Sequence, residues 1–468
     1  MKNKSFSNSL AIVVGLGRSG IGAAKLLNQQ GHKVLVIEQS SNEEIKQISK
    51  GLKNLGILVE LGKPFQISSF QPWLKELSFV VISPSVPWGH RTVNELRDLG
   101  IKVQGEISLA WKQLKHIPWI GITGTNGKTT VTEMLGHILK ENQLYAPAGG
   151  NVGTAASEIA LQSSLNKNWL PIYLIMELSS YQIETAPEIS PEIGIWTTFT
   201  PDHLERHKTL ENYFSIKNSL LEKSSTRIYN ADDEYLNAHR NYLKDGIWIS
   251  TNANANDRKK AKYWINKEGV VLEENNKLFH SSILQIPGRH NLQNLLLVTA
   301  AAREIGLSPK AIEQGLKKFK GVPHRLEFIG EIEDIKIFND SKATNYDSAN
   351  VGLEALGPNT IVLAGGQAKQ GDDSDWLIQI NKSCVGVFLF GSSAKTLEQK
   401  IKQSGFKKDI LICENLEAAV NLAMSQKTSE KISNILLSPA CSSFDQYKDF
   451  EERGNHFKQL IKPFLNEA

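Results

Sequence analysis

Gly121-Ile-Thr-Gly-Thr-Asn-Gly-Lys-Thr-Thr130 follows the apolar run of residues 117–122 and opens a helical pattern. Strand, glycine loop and helix in that order make a phosphate cradle. Gly124 and Gly127 allow the backbone conformations that turn successive N–H groups inward, Lys128 supplies a point charge for β/γ-phosphates, and Thr129 offers a hydroxyl to Mg²⁺. The chemistry expected is phosphoryl transfer. The strict Gly-x4-Gly-Lys-Thr spacing is missed by one residue, because position 122 is isoleucine and the nearest glycine is Gly121.

Length and composition bound what this loop serves. A chain of 468 residues exceeds one ordinary core and suggests about three domains. Apolar content of 40%, charged content of 22% and a net charge of +4 describe an ordinary globular protein and give no sign of a nucleic-acid surface. Cys384, Cys413 and Cys441 are too few and too far apart for a disulfide framework or a Cys-x-x-Cys metal site, so buried thiols are expected. No secretory leader pattern and no long apolar run is visible, which places the protein in the cytoplasm with no membrane insertion.

Before the P-loop, residues 10–14 are a buried parallel strand, followed by the turn Gly15-Leu-Gly-Arg-Ser-Gly20 and a helix to about residue 30. A second strand, residues 33–37, ends at Glu38, where a dinucleotide-binding fold holds a ribose. From these residues alone a dinucleotide and a sugar-nucleotide pyrophosphate are equally good occupants. A further strand, residues 79–82, runs into Ser83-Pro-Ser-Val-Pro87, an extended loop over which a ligand could lie.

After the P-loop helix, Ala148-Gly-Gly-Asn-Val-Gly153 is a glycine-rich turn whose functional side chain is Asn151. Residues 171–176 form a strand that delivers Glu177 at its carboxyl end, where ligands of parallel sheets gather; a carboxylate there suits Mg²⁺. The next strand ends in Pro201-Asp-His-Leu-Glu-Arg-His207. His203 and His207 have helical zinc spacing, but no Glu follows the first histidine and no third ligand is evident, so zinc is discounted. Lys217 falls on the helical run 210–223, where by base rate most lysines are solvated. Residues 252–261 are polar and read as an exposed loop or hairpin connection, and Asn291 reads as an N-cap, with Asn294 one turn on. A new alternation of strand and helix begins after residue 321, and its strand ends carry Asp340, Lys342, Lys369 and Ser443.

The combination resembles the Mur ligases, which build the peptide of bacterial cell-wall precursors. Thr123-Gly-Thr-Asn-Gly-Lys-Thr-Thr130 is similar to their P-loop variant, and Glu177-Leu-Ser-Ser-Tyr-Gln182, Asn339-Asp-Ser-Lys-Ala-Thr-Asn345 and Ser438-Pro-Ala-Cys-Ser-Ser-Phe-Asp-Gln446 resemble the branch that adds D-glutamate. The resemblance implies an α/β protein of three domains: an N-terminal Rossmann-like domain over residues 1–106, a central P-loop ATPase-like domain with a mostly parallel sheet over 107–321, and a C-terminal Rossmann-like domain over 322–468. It implies an ATP-dependent carboxylate–amine ligase with UDP-N-acetylmuramoyl-L-alanine and D-glutamate as substrates, two Mg²⁺ ions and a monomeric chain.

By the same resemblance, Gly15, Gly17, Arg18, Ser19, Ser83, Asn151 and His203 meet the UDP-substrate. Gly124, Thr125, Asn126, Gly127, Lys128, Thr129, Thr130, Asn291, Asn294, Arg325, Asp340 and Lys342 meet ATP. Thr344, Lys369, Ser443 and Phe450 surround D-glutamate. Thr129, Glu177, His203 and Lys217, the last as a carbamate, hold metal, and Lys128, His203, Lys217, Arg325 and Lys342 are catalytic. One departure stands out: Ser83-Pro-Ser85 replaces the family's Ser-Pro-Gly, and serine tolerates positive φ poorly.

Three rivals differ in visible ways. Folylpolyglutamate synthase carries its P-loop near the start of the chain, whereas about 110 residues precede this one. A dinucleotide-binding oxidoreductase would leave Lys128, Glu177 and Asp340 unexplained. A non-catalytic nucleotide sensor would show no ATP turnover dependent on acceptor and amino acid.

Overall fold

The computed structural model describes residues 9–166, 168–252, 261–368, 371–425 and 431–467. Three sheets organise them, and in each a central strand, Leu10–Val14, Trp119–Thr123 or Cys384–Phe390, is buried along its whole length, as expected where both faces of a sheet are covered.

The first sheet has five parallel strands in the order Leu58–Leu61, Lys33–Glu38, Leu10–Val14, Leu77–Ile82, Lys102–Gly105. The chain builds outward on one side of Leu10–Val14 and then returns to the other, so the switch point lies between the carboxyl ends of Leu10–Val14 and Leu77–Ile82. The glycine turn and Ser83 meet there. A Cβ on Gly15, whose φ is +97°, would stand 3.2 Å from Ser83 Cβ, and a Cβ on Gly20 would stand 2.0 Å from the Gly15 carbonyl oxygen.

The second sheet has nine strands, in the order Asn276–His280, Val270–Glu273, Tyr263–Ile265, Ile247–Ser250, Thr226–Asn230, Ile193–Trp196, Trp119–Thr123, Leu174–Glu177, Ala148–Gly150. Its register pairs Ile122 with Glu177 and Thr123 with Trp196, so the P-loop, Glu177 and the segment after Trp196 leave the sheet side by side. The antiparallel meander from Tyr263 to His280 was not expected from the sequence. Residues 253–260 of the polar segment lie outside the described residues.

The third sheet orders Glu327–Ile332, Ile335–Asn339, Asn434–Leu437, Thr360–Gly365, Cys384–Phe390 and Asp409–Ile412, with only the Glu327–Ile332 edge antiparallel. All three cysteines are free and buried, as the sequence predicts.

The chain divides into two compact units. One comprises the residues through Ser281 together with Gln293–Leu316, and the other comprises Ser282–Leu292 with the residues from Lys317 onward. The first two sheets share one unit because their helices pack directly. Helices Arg18–Gln29 and Glu106–Leu114 both lie on Ala156–Leu165. Buried Glu106 accepts the Ser157 amide at 2.6 Å, and burial raises the Glu106 carboxyl above its ordinary range.

Gly17 and Gly20 give a stability test of this packing. At Gly20→Ala the obstructing atom is backbone, so a cost of about 1–3 kcal/mol is expected. Gly17 has φ −72° and nothing within 4 Å of its added Cβ, so Gly17→Ala should cost under about 1 kcal/mol. Urea unfolding of the two variants checks the order; equal costs would mean the turn relaxes.

Candidate active site

The P-loop takes its shape from its two glycines. Gly124 has φ +149°, and a Cβ there would come within 1.9 Å of Thr197 Oγ1; Gly127 has φ +83°, and a Cβ there would meet Asn294 Oδ1 at 2.8 Å. The segment after Trp196 braces the loop from the next strand: the Thr125 amide donates to Thr198 O at 2.8 Å, and the Asn126 amide to Thr198 Oγ1 at 2.9 Å. Lys128 opens the helix Lys128–Glu141, followed by Thr129 and Thr130, and its Nζ donates to the carbonyls of Gly124 and Thr125 at 2.9 Å each.

Lys217 reverses its base-rate expectation. It lies on the helix Leu210–Lys223 but is 1% exposed. Its Nζ donates to Gly124 O at 2.8 Å, lies 3.5 Å from Thr123 Oγ1 and sits 4.7 Å from the centre of the Tyr213 ring. Burial, reinforced by the nearby Lys128 charge, pushes its pKa well down, with Asp202 and Glu177 opposing. The side chain is therefore held toward the neutral amine, which is the nucleophilic form.

Glu177 is 1% exposed. Its Oε1 accepts the Asn151 amide at 2.9 Å, while Oε2 is buried with no hydrogen-bond partner. A buried carboxylate oxygen without a partner, on the strand next to the one that leads into the P-loop, suits a hard cation. Mg²⁺ is usually held by one or two carboxylates together with substrate phosphates, so a single protein carboxylate facing the phosphate loop matches its needs. Among the described residues no group of three or more His, Cys, Asp and Glu could hold a metal.

The two histidines part company. His203, with φ +55°, has its side chain 44% exposed, near Asp202 at 3.4 Å and Glu205 at 3.8 Å. His207 is buried: its Nε2 is 2.9 Å from Ser180 Oγ, its ring stacks on Tyr213, and burial lowers its pKa to about 4. They do not form the zinc pair that their spacing allows. Tyr213 itself reaches Thr125 Oγ1 with its hydroxyl at 3.3 Å. Ser180, His207 and Tyr213 thus connect the Lys217 pocket to the P-loop, and none of them was assigned a role from the sequence.

At the switch point of the first sheet, Glu38 does not simply stand open at its strand end. Its carboxylate accepts the amides of Leu16 and Ser40, each at 2.7 Å, and so holds the glycine turn from below. Arg18 donates to Gly153 O at 3.3 Å, which brings it to the turn carrying Asn151; Ser19 follows it in the same helix. Ser85 has no positive φ and its hydroxyl donates to Ser83 Oγ at 3.2 Å, so the strain expected from replacing glycine is absent.

The remaining predicted residues belong to the second unit, apart from Asn294, which lies beside the P-loop in the first. Asn291 is not an N-cap: the helix is Arg289–Glu304, and Asn291 Nδ2 donates back to Pro287 O at 2.6 Å. Asp340 is buried and accepts the Leu326 amide at 3.1 Å and the Ser438 hydroxyl at 3.0 Å; burial raises its pKa to about 7, with Arg325 among the opposing influences. Lys342 Nζ lies 5.4 Å from the centre of the Phe450 ring, and the Thr344 amide donates to Lys342 O. Ser443 is buried at the end of the loop after Asn434–Leu437. Lys369 lies outside the described residues.

Sequence reasoning missed Arg453. Fully buried, it donates to Ser341 Oγ at 3.0 Å, Ser341 O at 2.8 Å and Cys441 O at 3.1 Å, with Gly365 O and Ser442 O at 3.4 Å. One guanidinium therefore ties together the three strand-end loops around Lys342, Gly366 and Ser443. Nothing in its local sequence marks it, because its role is set by loops after three different strands, two of them 88 and 112 residues away.

Chemically, the first unit offers a phosphate cradle, a buried carboxylate with an unsatisfied oxygen and a buried amine on one sheet edge, beside a second glycine turn. Three family models cover the chain: a MurD-like N-terminal Mur ligase domain over residues 9–105, the Mur ligase middle domain over 122–302, and the Mur ligase glutamate ligase domain over 324–441. A UDP-N-acetylmuramoylalanine--D-glutamate ligase of Prochlorococcus marinus (strain MIT 9313) is 54% identical over 97% of this chain and 99% of its own. The same-named protein of Synechococcus sp. (strain CC9605) is 52% identical over 98% of this chain and 99% of its own. Among solved structures, the UDP-N-acetylmuramate-alanine ligase MurC of Thermotoga maritima matches with a TM-score of 0.61 at 19% identity, covering 98% of this chain and 100% of that one, and so shows the fold. With three successive domain models and full-length relatives in agreement, the chain belongs to the Mur ligase family and has its three-domain α/β architecture.

Proposed function

We propose that this protein is the ATP-dependent ligase that adds D-glutamate to UDP-N-acetylmuramoyl-L-alanine in the synthesis of bacterial peptidoglycan precursors. The observation that carries the reading is the meeting of Lys128, Glu177 and the buried Lys217 amine around one phosphate loop; the substrates are those of the full-length relatives. The domain boundaries proposed are near residues 106 and 321, and the protein acts as a cytoplasmic monomer. No helix among the described residues is long and apolar enough to cross a membrane.

The reaction needs the alanyl carboxylate to attack the γ-phosphorus of ATP, giving an acyl phosphate and ADP. The amine of D-glutamate then attacks the acyl carbon, phosphate leaves and an amide forms, with the ammonium protons released. Lys128 and the P-loop amides hold the phosphates and offset charge on the transferring group. Bound Mg²⁺, as two ions held by Thr129, Glu177, His203 and carbamylated Lys217, would supply further neutralisation of phosphoryl charge.

Lys217 enters this scheme through its neutral amine: the nitrogen lone pair attacks CO₂, one N–H proton leaves to solvent, and the carbamate that results is an anion where the lysine had been a cation or neutral. Gly15, Gly17, Arg18, Ser19, Ser83 and Asn151 receive the sugar-nucleotide at the switch point. Asn291, Asn294, Arg325, Asp340 and Lys342 serve the nucleotide, and Thr344, Ser443, Phe450 and Lys369 the D-glutamate. Arg453 keeps the loops that bear them in register.

A coupled phosphate-release assay tests the reading. Release should require ATP, UDP-N-acetylmuramoyl-L-alanine and D-glutamate together, and release without the amino acid would point to a nucleotide sensor or a leaking hydrolase. Lys128→Ala should abolish release while UDP-substrate binding by calorimetry persists, since uridine and ATP phosphates are held by different sheets. Ser443→Ala should raise the D-glutamate KM about ten- to hundredfold, the loss of a charge-assisted hydrogen bond, with the ATP KM little changed. An unchanged D-glutamate KM would move the amino-acid site elsewhere.

A further inference from the structure

Arg206 is absent from the site assigned above, yet it bridges the seam between the first and second sheets. Its side chain is 10% exposed. One guanidinium reaches three acceptors: Nη2 donates to Val86 O at 3.0 Å and to Glu184 Oε2 at 3.1 Å, and Nη1 to Ser85 O at 3.4 Å. Its central carbon lies 4.6 Å from the centre of the Tyr181 ring. These partners belong to different parts of the molecule. Ser85 and Val86 lie in the loop that leaves Leu77–Ile82 at the switch point; Glu184 ends the helix Ser180–Glu184 that follows Glu177.

The loop needs an external clamp. Pro84 and Pro87 lack backbone donors, and within the loop the turn is held by one backbone bond, from Val86 N to Ser83 O at 3.0 Å, together with the Ser85–Ser83 hydroxyl bond. Guanidinium groups engage carbonyls in it and just after it: Arg206 takes Ser85 and Val86, while Arg97 donates to Trp88 O at 3.2 Å and stacks on the Trp88 ring at 4.0 Å. Glu184 also raises the Arg97 pKa against the lowering effect of burial, so it faces both arginines.

On its other side Arg206 belongs to the one-turn helix Leu204–His207, which begins directly after His203 and ends at His207, itself fixed on Ser180. His203 holds its left-handed backbone conformation at the head of that turn. The turn is thus pinned at one point to the first sheet's loop and at the other to the second sheet.

We propose that Arg206 is a positioning residue that fixes the loop Ser83–Pro87 relative to His203, so that the sugar-nucleotide is received at both ends by one rigid frame. The inference rests on the function proposed above, because it needs one substrate that spans the switch point and the P-loop edge. Arginine suits this role because its planar fork meets two carbonyls and a carboxylate at once, which a lysine ammonium at the end of a flexible stem cannot reproduce.

The test uses Arg206→Lys and Arg206→Gln in the full-length protein, with KM for all three substrates, kcat and thermal midpoint measured for each. The UDP-substrate KM should rise about ten- to hundredfold in both variants, the loss of charge-assisted bonds, with the ATP and D-glutamate KM values little changed. Arg206→Lys should stay nearer to Arg206→Gln than to wild type. Unchanged UDP-substrate KM, an equal rise in all three KM values, or full rescue by lysine would overturn the proposal; a fall in thermal midpoint with all KM values unchanged would assign Arg206 a purely structural role and also overturn it. Wild-type enzyme that fails to turn over these three substrates would instead refute the functional reading, and the two failures are separate measurements.

Discussion

The Lys217 amine, buried against the Gly124 carbonyl beneath the phosphate loop, is the constraint on which the site depends. A cation there would be costly to desolvate and would face Lys128, so the fold favours the neutral form. Around it the structure is over-determined: Tyr213 lies under the amine and bonds Thr125, His207 stacks on Tyr213 and bonds Ser180, and Thr198 takes the loop amides. Glu177, with one oxygen satisfied by Asn151 and the other without a partner, sits on the adjacent strand at the register of Ile122.

Much of this was legible because parallel α/β sheets put their polar residues where strands end. The apolar runs before Gly15, Gly124, Glu177 and Asp340 each mark a buried strand, and the residues after each run stand at the carboxyl edge of a sheet, where ligands of parallel sheets gather. The P-loop could be read from its glycines, and both glycines prove to be sterically required. Lys217 was also legible in principle. It shares a helical face with Tyr213, Leu220 and Leu221, all buried, and a lysine at i+4 in such a stripe points toward the core rather than the solvent. The residue-type base rate hid that pattern until the family resemblance restored it.

Other features were hidden for physical reasons. Ser180 and His207 pair across 27 residues and Arg453 reaches Ser341 across 112, and no local pattern records such pairings. The meander Tyr263–Ile265, Val270–Glu273 and Asn276–His280 has strands of three to five residues, too short for alternation to stand out. Asn291 looked like a cap because it follows Pro287-Gly288, but the helix starts two residues earlier and leaves it inside the first turn. Ser85 shows the opposite error: a departure from the family pattern suggested strain, and the backbone accommodates it without positive φ.

As proposed above, burial holds Lys217 toward its neutral amine so that it can become a carbamate anion. ¹³C NMR of the protein equilibrated with ¹³C-bicarbonate tests it directly. The account predicts a carbamate carbonyl signal in wild type that disappears in both Lys217→Ala and Lys217→Arg, with ligase activity lost in both. An arginine variant that keeps its activity, or a fully active wild type with no carbamate signal under turnover conditions, would contradict it.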